Sequence, residues 1–185
     1  MNSSDIKSPP SIADQYLTFF IAGEEYATAI LKVREVVEYD AITVVPNTPS
    51  WIRGVINVRG SVLPVVDLAV KFGLPLSTIS KLSCIVITEI DAGEERLTMG
   101  LLADAVSQVV DFGPDEIEQP PAFGTRVKIE YLRGMGRMGK KFCQILDIDK
   151  VLSVDELLAA NDSFSAVAGP ADSAESSDTH EQKNM

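Results

Sequence analysis

The sequence predicts an all-β protein with only a few short helices. Between residues 14 and 158, about nine or ten apolar runs of strand length are separated by tight turns. Prolines interrupt the longer connections, and no long stretch repeats its apolar residues at helical spacing. Because the edges of short strands invite aggregation, we expect a closed or nearly closed architecture. Two small barrels fit this number of strands at least as well as one sandwich.

The first half of this region predicts two hairpins and a short helix. Strands are expected at residues 16–21, 26–30, 52–58 and 61–67. Arg59-Gly60 would form the tight turn of the second hairpin, and Asp67 would cap a helix from 68 to 72 that Gly73 ends. Residues 31–37 are ambiguous, because their apolar residues also fit a short helix or a turn.

The second half continues the β pattern. Further strands are expected at residues 83–90, 96–102 and 105–112, and a hairpin is expected over 129–147. Three prolines between residues 114 and 121 mark a long connection before that hairpin. A short closing helix near residues 154–158 completes the ordered region.

The two ends of the chain lack the pattern of a packed fold. Residues 1–13 are rich in serine and proline, so we expect a flexible N-terminus. Residues 159–185 carry five acidic residues and one lysine among serines and alanines, which predicts a disordered acidic tail. The ordered domain is therefore expected to span residues 14–158.

Net charge and hydropathy limit the classes of partner. The chain has 27 acidic and 16 basic residues, giving a formal net charge of −11. Because phosphate binding depends on lysine and arginine, we expect neither nucleic acid nor an anionic membrane surface as the main partner. No apolar run reaches the roughly 18–20 residues of a membrane span, and the N-terminus does not resemble a signal peptide.

The residues that usually carry catalysis are missing or scattered. The single histidine, His180, lies in the polar C-terminal stretch, so a positioned imidazole is not expected. Asp147 and Asp149 would share one face of a strand, but a solvated strand end explains them better than an acid–base pair. Cys84 and Cys143 lie 59 positions apart in apolar runs, which predicts buried, reduced thiols in a cytoplasmic protein. We expect no enzyme, no metal and no cofactor.

One glycine motif resembles a nucleotide-binding loop. Residues 134–139 match the pattern G-x-G-x-x-G, which in a dinucleotide site follows a strand and opens a helix. Here residues 140–146 read as another strand instead, so the glycines are better explained as turn positions of a β-hairpin.

A family resemblance enters at residues 52–68, where an N-x-R-G turn joins two apolar strands. This segment resembles the CheW family of bacterial chemotaxis coupling proteins, and the likeness spans essentially all of residues 14–158. The resemblance implies two five-stranded SH3-like barrels packed around a shared core. It also implies an adaptor that binds the C-terminal regulatory domain of the histidine kinase CheA and the cytoplasmic tips of chemoreceptors. An adaptor of the same family in surface motility, or in another receptor–kinase circuit, fits the sequence equally well.

The resemblance also implies a set of partner-binding residues. The family's prominent interaction arginine corresponds to Arg59, and further contact positions correspond to Val33, Glu35, Gly54, Val106 and Val109. Apart from the resemblance, a guanidinium at the tip of a turn is well placed to bind a carboxylate of a partner. An arginine that is simply solvated at the turn would leave the same sequence pattern. Val33 and Glu35 also fit the two faces of a short helix, Val106 and Val109 also fit a core, and Gly54 also fits a bulge.

Overall fold

The computed structural model describes residues 11–167, and in that range the chain is mostly β-strand. Eleven strands are present in the described range, and we number them in chain order. They are β1 (Gln15–Ile21), β2 (Glu24–Ala29), β3 (Val33–Glu38), β4 (Ile52–Val58), β5 (Ser61–Asp67), β6 (Cys84–Ala92), β7 (Glu95–Ala103), β8 (Ala105–Asp111), β9 (Ile117–Glu118), β10 (Leu132–Met138) and β11 (Lys141–Leu146).

The strands form two curled sheets, which confirms the predicted fold class. The sheet with order β3-β6-β7-β5-β4 is built from the middle of the chain, and we call it the central barrel. The sheet with order β8-β1-β2-β11-β10-β9 contains the first and the last strands, and we call it the terminal barrel. The terminal barrel has a sixth strand that the sequence did not predict, the two-residue β9. Each barrel also contains one parallel pair, β5 with β7 and β2 with β11.

The central barrel is closed by the segment that leaves β3. Thr43 exchanges two backbone hydrogen bonds with Val55 on β4, at 2.9 and 2.8 Å. Because β3 and β4 are the two edges of this sheet, a chain that passes from one edge to the other within a few residues requires the sheet to curl.

The largest apolar cluster lies between the two barrels and takes side chains from both. From the terminal barrel it includes Phe19 and Tyr26, and from the central barrel it includes Val86 and Leu101, all essentially inaccessible to solvent. A smaller cluster fills the interior of each barrel. We call the large cluster the shared core, and its burial holds the two barrels together.

Three α-helices are described: α1 (Leu68–Lys71), α2 (Ile148–Val151) and α3 (Val154–Val167). The predicted helix after β5 is confirmed, because Asp67 accepts hydrogen bonds from the amides of Ala69 and Val70 at its N-terminus. Gly73, with φ of +78°, follows its end as expected for a left-handed position.

The structure differs from the sequence interpretation at both ends of the ordered region. Helix α3 continues past residue 158 to Val167, because Leu157 and Ala160 lie one turn apart and are buried in the shared core. At the other end, Ser11 caps a short 3₁₀ turn over Ile12–Asp14, which overlaps the last residues of the predicted flexible segment 1–13. The remaining residues of the two predicted tails, 1–10 and 168–185, lie outside the described range.

Residues 31–37 do not form the short helix that the sequence left open. A 3₁₀ turn occupies Ile30–Lys32, and β3 then begins at Val33 and pairs with β6. Val36 and Val37 are β-branched, and such residues pack well in a strand that has a long partner available. Val33 and Glu35 therefore lie on a strand and not on two faces of a helix.

The chain contains a structural repeat with an offset of 80 residues. The unit β4–β5–α1 and the unit β10–β11–α2 share a tight hairpin and a bulge, which falls at Gly54 in the first and at Gly134 in the second. In both units a backbone hydrogen bond closes the open end of the hairpin. The Asp67 amide donates to the Trp51 carbonyl oxygen at 2.8 Å, and the Asp147 amide donates to the Tyr131 carbonyl oxygen at 2.9 Å.

Candidate partner-binding surface

The tip of the β4–β5 hairpin presents Arg59 to solvent. Arg59 and Gly60 have φ of +51° and +88°, the two positive values that a two-residue turn between antiparallel strands needs. Asn57 stabilises the turn, because its side-chain oxygen accepts a hydrogen bond from the Gly60 amide at 2.9 Å. The Arg59 side chain is 82% exposed, so it is available to a partner.

Arg59 lies beside Glu35, a second residue of the predicted site. The guanidinium Nη2 donates to Glu35 Oε2 at 3.0 Å, joining two residues that are 24 positions apart in the chain. Glu35 lies on the edge strand β3, and Arg59 lies in the turn that follows the other edge strand, β4, so this ion pair spans the two edges of the central barrel. Because the pair is exposed, it contributes little to stability and mainly orients both groups.

Beside this ion pair the central barrel opens into a cavity of about 420 Å³, which we call the barrel mouth. Its apolar wall is formed by Val58, Leu63 and Ile87. Its polar lining comes from Arg34, Glu35, Arg59, Ser61 and Thr98. An apolar wall beside charged side chains suits a protein partner that presents one aliphatic or aromatic side chain beside polar groups.

Sequence reasoning missed the wall of the barrel mouth. Three different strands contribute the wall residues Val58, Leu63 and Ile87. The sequence around each of them indicates only that it is a strand residue facing inward. The alternation of inward and outward positions along each strand is the one available signal. It does not show which inward residues line the open end of the barrel.

Gly54 has a structural explanation in this fold. It is buried at the bulge of β4 with φ of +147°, and a Cβ there would overlap the Thr43 carbonyl oxygen and the Ile42 side chain. Glycine is therefore required where the closing segment crosses β4. The prediction that Gly54 also contacts a partner stays a prediction.

The three predicted valines do not line the barrel mouth. Val33 and Val106 are partly buried and pack against the shared core. Val109, on β8 at the edge of the terminal barrel, is 51% exposed, so a purely structural role in the core does not describe it. The structure thus brings Arg59 and Glu35 together, and it leaves Val109 as a separate apolar position on the other barrel.

Comparison with known proteins identifies the family. Residues 15–156 match the sequence model of the CheW-like domain. The chain belongs to the CheW family. It is 33% identical over 147 residues to the chemotaxis protein CheW of Klebsiella aerogenes, covering 80% of this chain and 86% of that protein. The crystal structure of the scaffolding protein TtCheW from Thermoanaerobacter tengcongensis matches with a TM-score of 0.70 and 31% identity, covering 84% of this chain and 96% of the other.

This CheW family member also matches, over a shorter stretch of sequence, a protein with a different name. Protein PilI of Pseudomonas aeruginosa is 30% identical over 105 residues, which is 56% of this chain and 57% of that protein.

In residues 11–167, no helix is both long and apolar enough to cross a membrane.

In this CheW family member a partly buried lysine just before β3 connects the two barrels. Lys32 Nζ lies 2.7 Å from Asp91 Oδ2, at the end of β6, and 2.7 Å from Asp149 Oδ2, in α2. Partial burial acts to lower the pKa of Lys32, but its hydrogen bonds to Asp149 and Asp91 outweigh this and raise it. The interpretation of Asp149 as a solvated strand end is therefore wrong. These two ion pairs anchor the residue that immediately precedes β3, the strand that carries Val33 and Glu35.

The two cysteines are buried and free, as the sequence predicted. Cys143 lies in the interior of the terminal barrel, where burial and the nearby Glu25 carboxylate raise the pKa of its thiol to about 12. Burial likewise raises the pKa of Cys84. Because the thiolate is the form that binds metals and attacks electrophiles, both side chains serve as packing groups. Within the described part of the chain, no cluster of three or more His, Cys, Asp or Glu side chains is arranged to hold a metal ion.

The glycine motif at residues 134–139 lies in a β-hairpin, as the sequence interpretation proposed. Gly134 is at the bulge of β10, Gly136 leaves room for the Phe112 ring, and Gly139 has φ of +62° in the turn before β11. The glycines are followed directly by β11 and not by a helix, so no helix N-terminus is placed there to face a phosphate.

Calorimetric titration of the protein with NADPH or ATP is expected to show no binding heat. A saturable micromolar site that is lost on changing these glycines would contradict this assignment.

Proposed function

We propose that this protein is a non-enzymatic adaptor that couples methyl-accepting chemoreceptors to the histidine kinase CheA in bacterial chemotaxis. Its proposed partners are the C-terminal regulatory domain of the kinase and the cytoplasmic tips of the receptors. We place it in the cytoplasm, recruited to receptor arrays at the inner membrane, without nucleic acid and without inserting into the membrane itself. Membership of the CheW family over residues 15–156 is the observation that carries this proposal.

The geometry supports a role in holding two partners at once. The barrel mouth with Arg59 and Glu35 belongs to the central barrel, and the apolar Val106 and Val109 belong to β8 of the terminal barrel. An adaptor needs two surfaces that can be occupied together, and separate barrels joined by the shared core supply them. Within residues 11–167 the acidic and thiol groups described above serve in ion pairs and packing.

Reconstitution from purified components tests this proposal. The chain, the kinase and a receptor cytoplasmic fragment are mixed in all combinations, and complex formation is followed by co-sedimentation together with kinase autophosphorylation. We expect the kinase to sediment with the receptor fragment, and its activity to rise several-fold, only when this chain is present. Normal folding of the chain without binding to either partner would reject the adaptor role.

A second candidate is an adaptor of the same family in a different receptor–kinase circuit, such as surface or twitching motility. The likeness to Protein PilI favours it, because that relative is not named as a chemotaxis protein. The two candidates differ in partner and not in mechanism. Co-purification from the native cell distinguishes them by which kinase and which receptors accompany the chain.

A further inference from the structure

The first unit of the structural repeat holds a serine residue between two charged side chains. Ser77 donates its amide to Asp67 Oδ2 at 3.0 Å and its hydroxyl to Asp67 Oδ1 at 2.8 Å. Its carbonyl oxygen accepts a hydrogen bond from Arg53 Nη2 at 3.4 Å. Ser77 lies in the segment 74–80, which has no regular secondary structure. Arg53 and Asp67 therefore bind the amide, the carbonyl and the side chain of one residue in an irregular segment.

The second unit carries the same two charged groups without a residue between them. Arg133 lies at the bulge of β10 and Asp147 directly follows β11, 80 positions after Arg53 and Asp67. Both line a pocket of about 180 Å³ at one end of the terminal barrel. After α2 the chain runs into α3, so none of residues 148–167 returns between them as Ser77 does in the first unit.

A buried hydroxyl of this pocket lacks a hydrogen-bond partner. Thr28, near the end of β2, is 1% exposed and lines the pocket, and its Oγ1 makes no hydrogen bond with the described residues. The buried Thr18 on β1 shows the usual arrangement, because its hydroxyl donates to the Gln108 carbonyl oxygen and accepts from the Gln108 amide, both at 3.2 Å. Since an unpaired buried hydroxyl is costly, the Thr28 side chain points to a polar occupant of the pocket.

The charged groups of the pocket match the two ends of a peptide unit. Arg133 is exposed and forms no ion pair with another described residue, and the Asp147 carboxylate lies 3.2 Å from the exposed Lys150. A backbone N–H donates to a carboxylate, and a backbone carbonyl accepts from a guanidinium. The pocket is smaller than the roughly 300–1,000 Å³ of typical small-molecule sites, which favours one residue of an extended chain.

We propose that this pocket, which we call the serine clamp, binds a serine residue in an exposed, extended segment of a protein partner. The serine donates its amide and hydroxyl to Asp147, its carbonyl accepts from Arg133, and the segment supplies a partner for the Thr28 hydroxyl. Ser77 is already bound in its own barrel, so it is not free to enter the clamp of a second copy. The serine clamp shares no lining residue with the barrel mouth, so both can be occupied together.

NMR titration tests the proposal with a capped peptide of residues 74–80, the segment that fills the equivalent site. Added to the isotope-labelled full chain, the peptide is expected to shift the amide resonances of Thr28, Arg133 and Asp147 until the site is saturated. A peptide with Ser77→Ala loses one of the two donors to Asp147 and should bind at least about tenfold more weakly. Asp147→Ala in the chain should abolish the shifts.

Two threonine-to-valine variants give a readout that does not depend on the peptide alone. Thr28→Val removes a hydroxyl that has no partner among residues 11–167, so it should not lower the melting temperature, but it should weaken peptide binding several-fold. Thr18→Val is the matched control: it removes a bonded hydroxyl, so it should lower the melting temperature and leave the peptide affinity unchanged. Equal losses of melting temperature would show that the Thr28 hydroxyl is already paired, and would overturn the proposal.

Three further results would also overturn it. Pocket resonances that do not move with the peptide would show that the serine clamp does not bind it. Equal affinity for the peptides with and without the Ser77 hydroxyl would show that serine is not recognised. Dimers of the chain that the peptide dissociates would assign the pocket to a second copy. These measurements use neither the kinase nor the receptor, so their failure leaves the adaptor role untouched.

Discussion

Asp67→Ala is expected to lower the free energy of unfolding by about 3–5 kcal/mol, as for a broken buried ion pair. The Asp67 carboxylate is fully buried and lies 3.4 Å from Arg53. It also accepts hydrogen bonds from the amides of Ala69 and Val70 and from the amide and hydroxyl of Ser77. Alanine would leave Arg53 without its counter-ion and four donors without their acceptor, and an unpaired buried group pays its full desolvation cost.

Urea denaturation followed by circular dichroism measures this loss. The repeat offers a matched control, because Asp147 occupies the position equivalent to Asp67 but makes no hydrogen bond at the N-terminus of α2. Its pair with Lys150 is partly exposed, so Asp147→Ala should cost at most about 1 kcal/mol. Similar losses at the two positions would mean that the buried contacts of Asp67 do not stabilise the central barrel.

Arg59→Glu is expected to leave the fold intact and to reduce affinity for the kinase or the receptor about tenfold to a hundredfold. The side chain is 82% exposed, and substitutions at exposed positions usually stay within about ±0.5 kcal/mol of stability. A lost charge-assisted hydrogen bond costs roughly 1.5–3 kcal/mol, at about 1.4 kcal/mol per tenfold change in affinity. The new carboxylate would also lie beside Glu35, which makes the barrel mouth acidic.

Removing the other half of the ion pair separates direct contact from positioning. Glu35→Gln leaves Arg59 exposed but without its counter-ion. If Arg59 itself contacts the partner, Glu35→Gln keeps most of the affinity; if Arg59 only holds Glu35 for the partner, Glu35→Gln weakens binding as much as Arg59→Glu. Arg137→Glu is the control, since Arg137 is a similarly exposed arginine paired with Glu118 in the terminal barrel. Calorimetry or pull-down measures affinity, and full binding by Arg59→Glu would remove Arg59 from the interface.

Features set by neighbouring residues could be predicted from the sequence. The Arg59-Gly60 turn, the hairpins β4–β5 and β10–β11, and the Asp67 cap each depend on contacts between residues no more than 14 positions apart. The motif around that turn also sufficed to identify the CheW family, which the comparisons confirm. The boundary at residue 158 could not be located in the same way, because Leu157 and Ala160 are helical only through their burial in the shared core.

The sequence by itself therefore determined the all-β class, the local hairpins and the family, since each follows from residue types at short spacing. Only the tertiary structure decided which distant strands meet. The parallel pairs β5–β7 and β2–β11 join segments far apart in the chain, and no local pattern specifies such partners. The curl of the central barrel then sets Arg59 beside Glu35 and brings Val58, Leu63 and the buried Ile87 together as the wall of the barrel mouth. The sheet curls because its edge strands close around a common apolar interior. This closure depends on the whole sheet and not on any one segment.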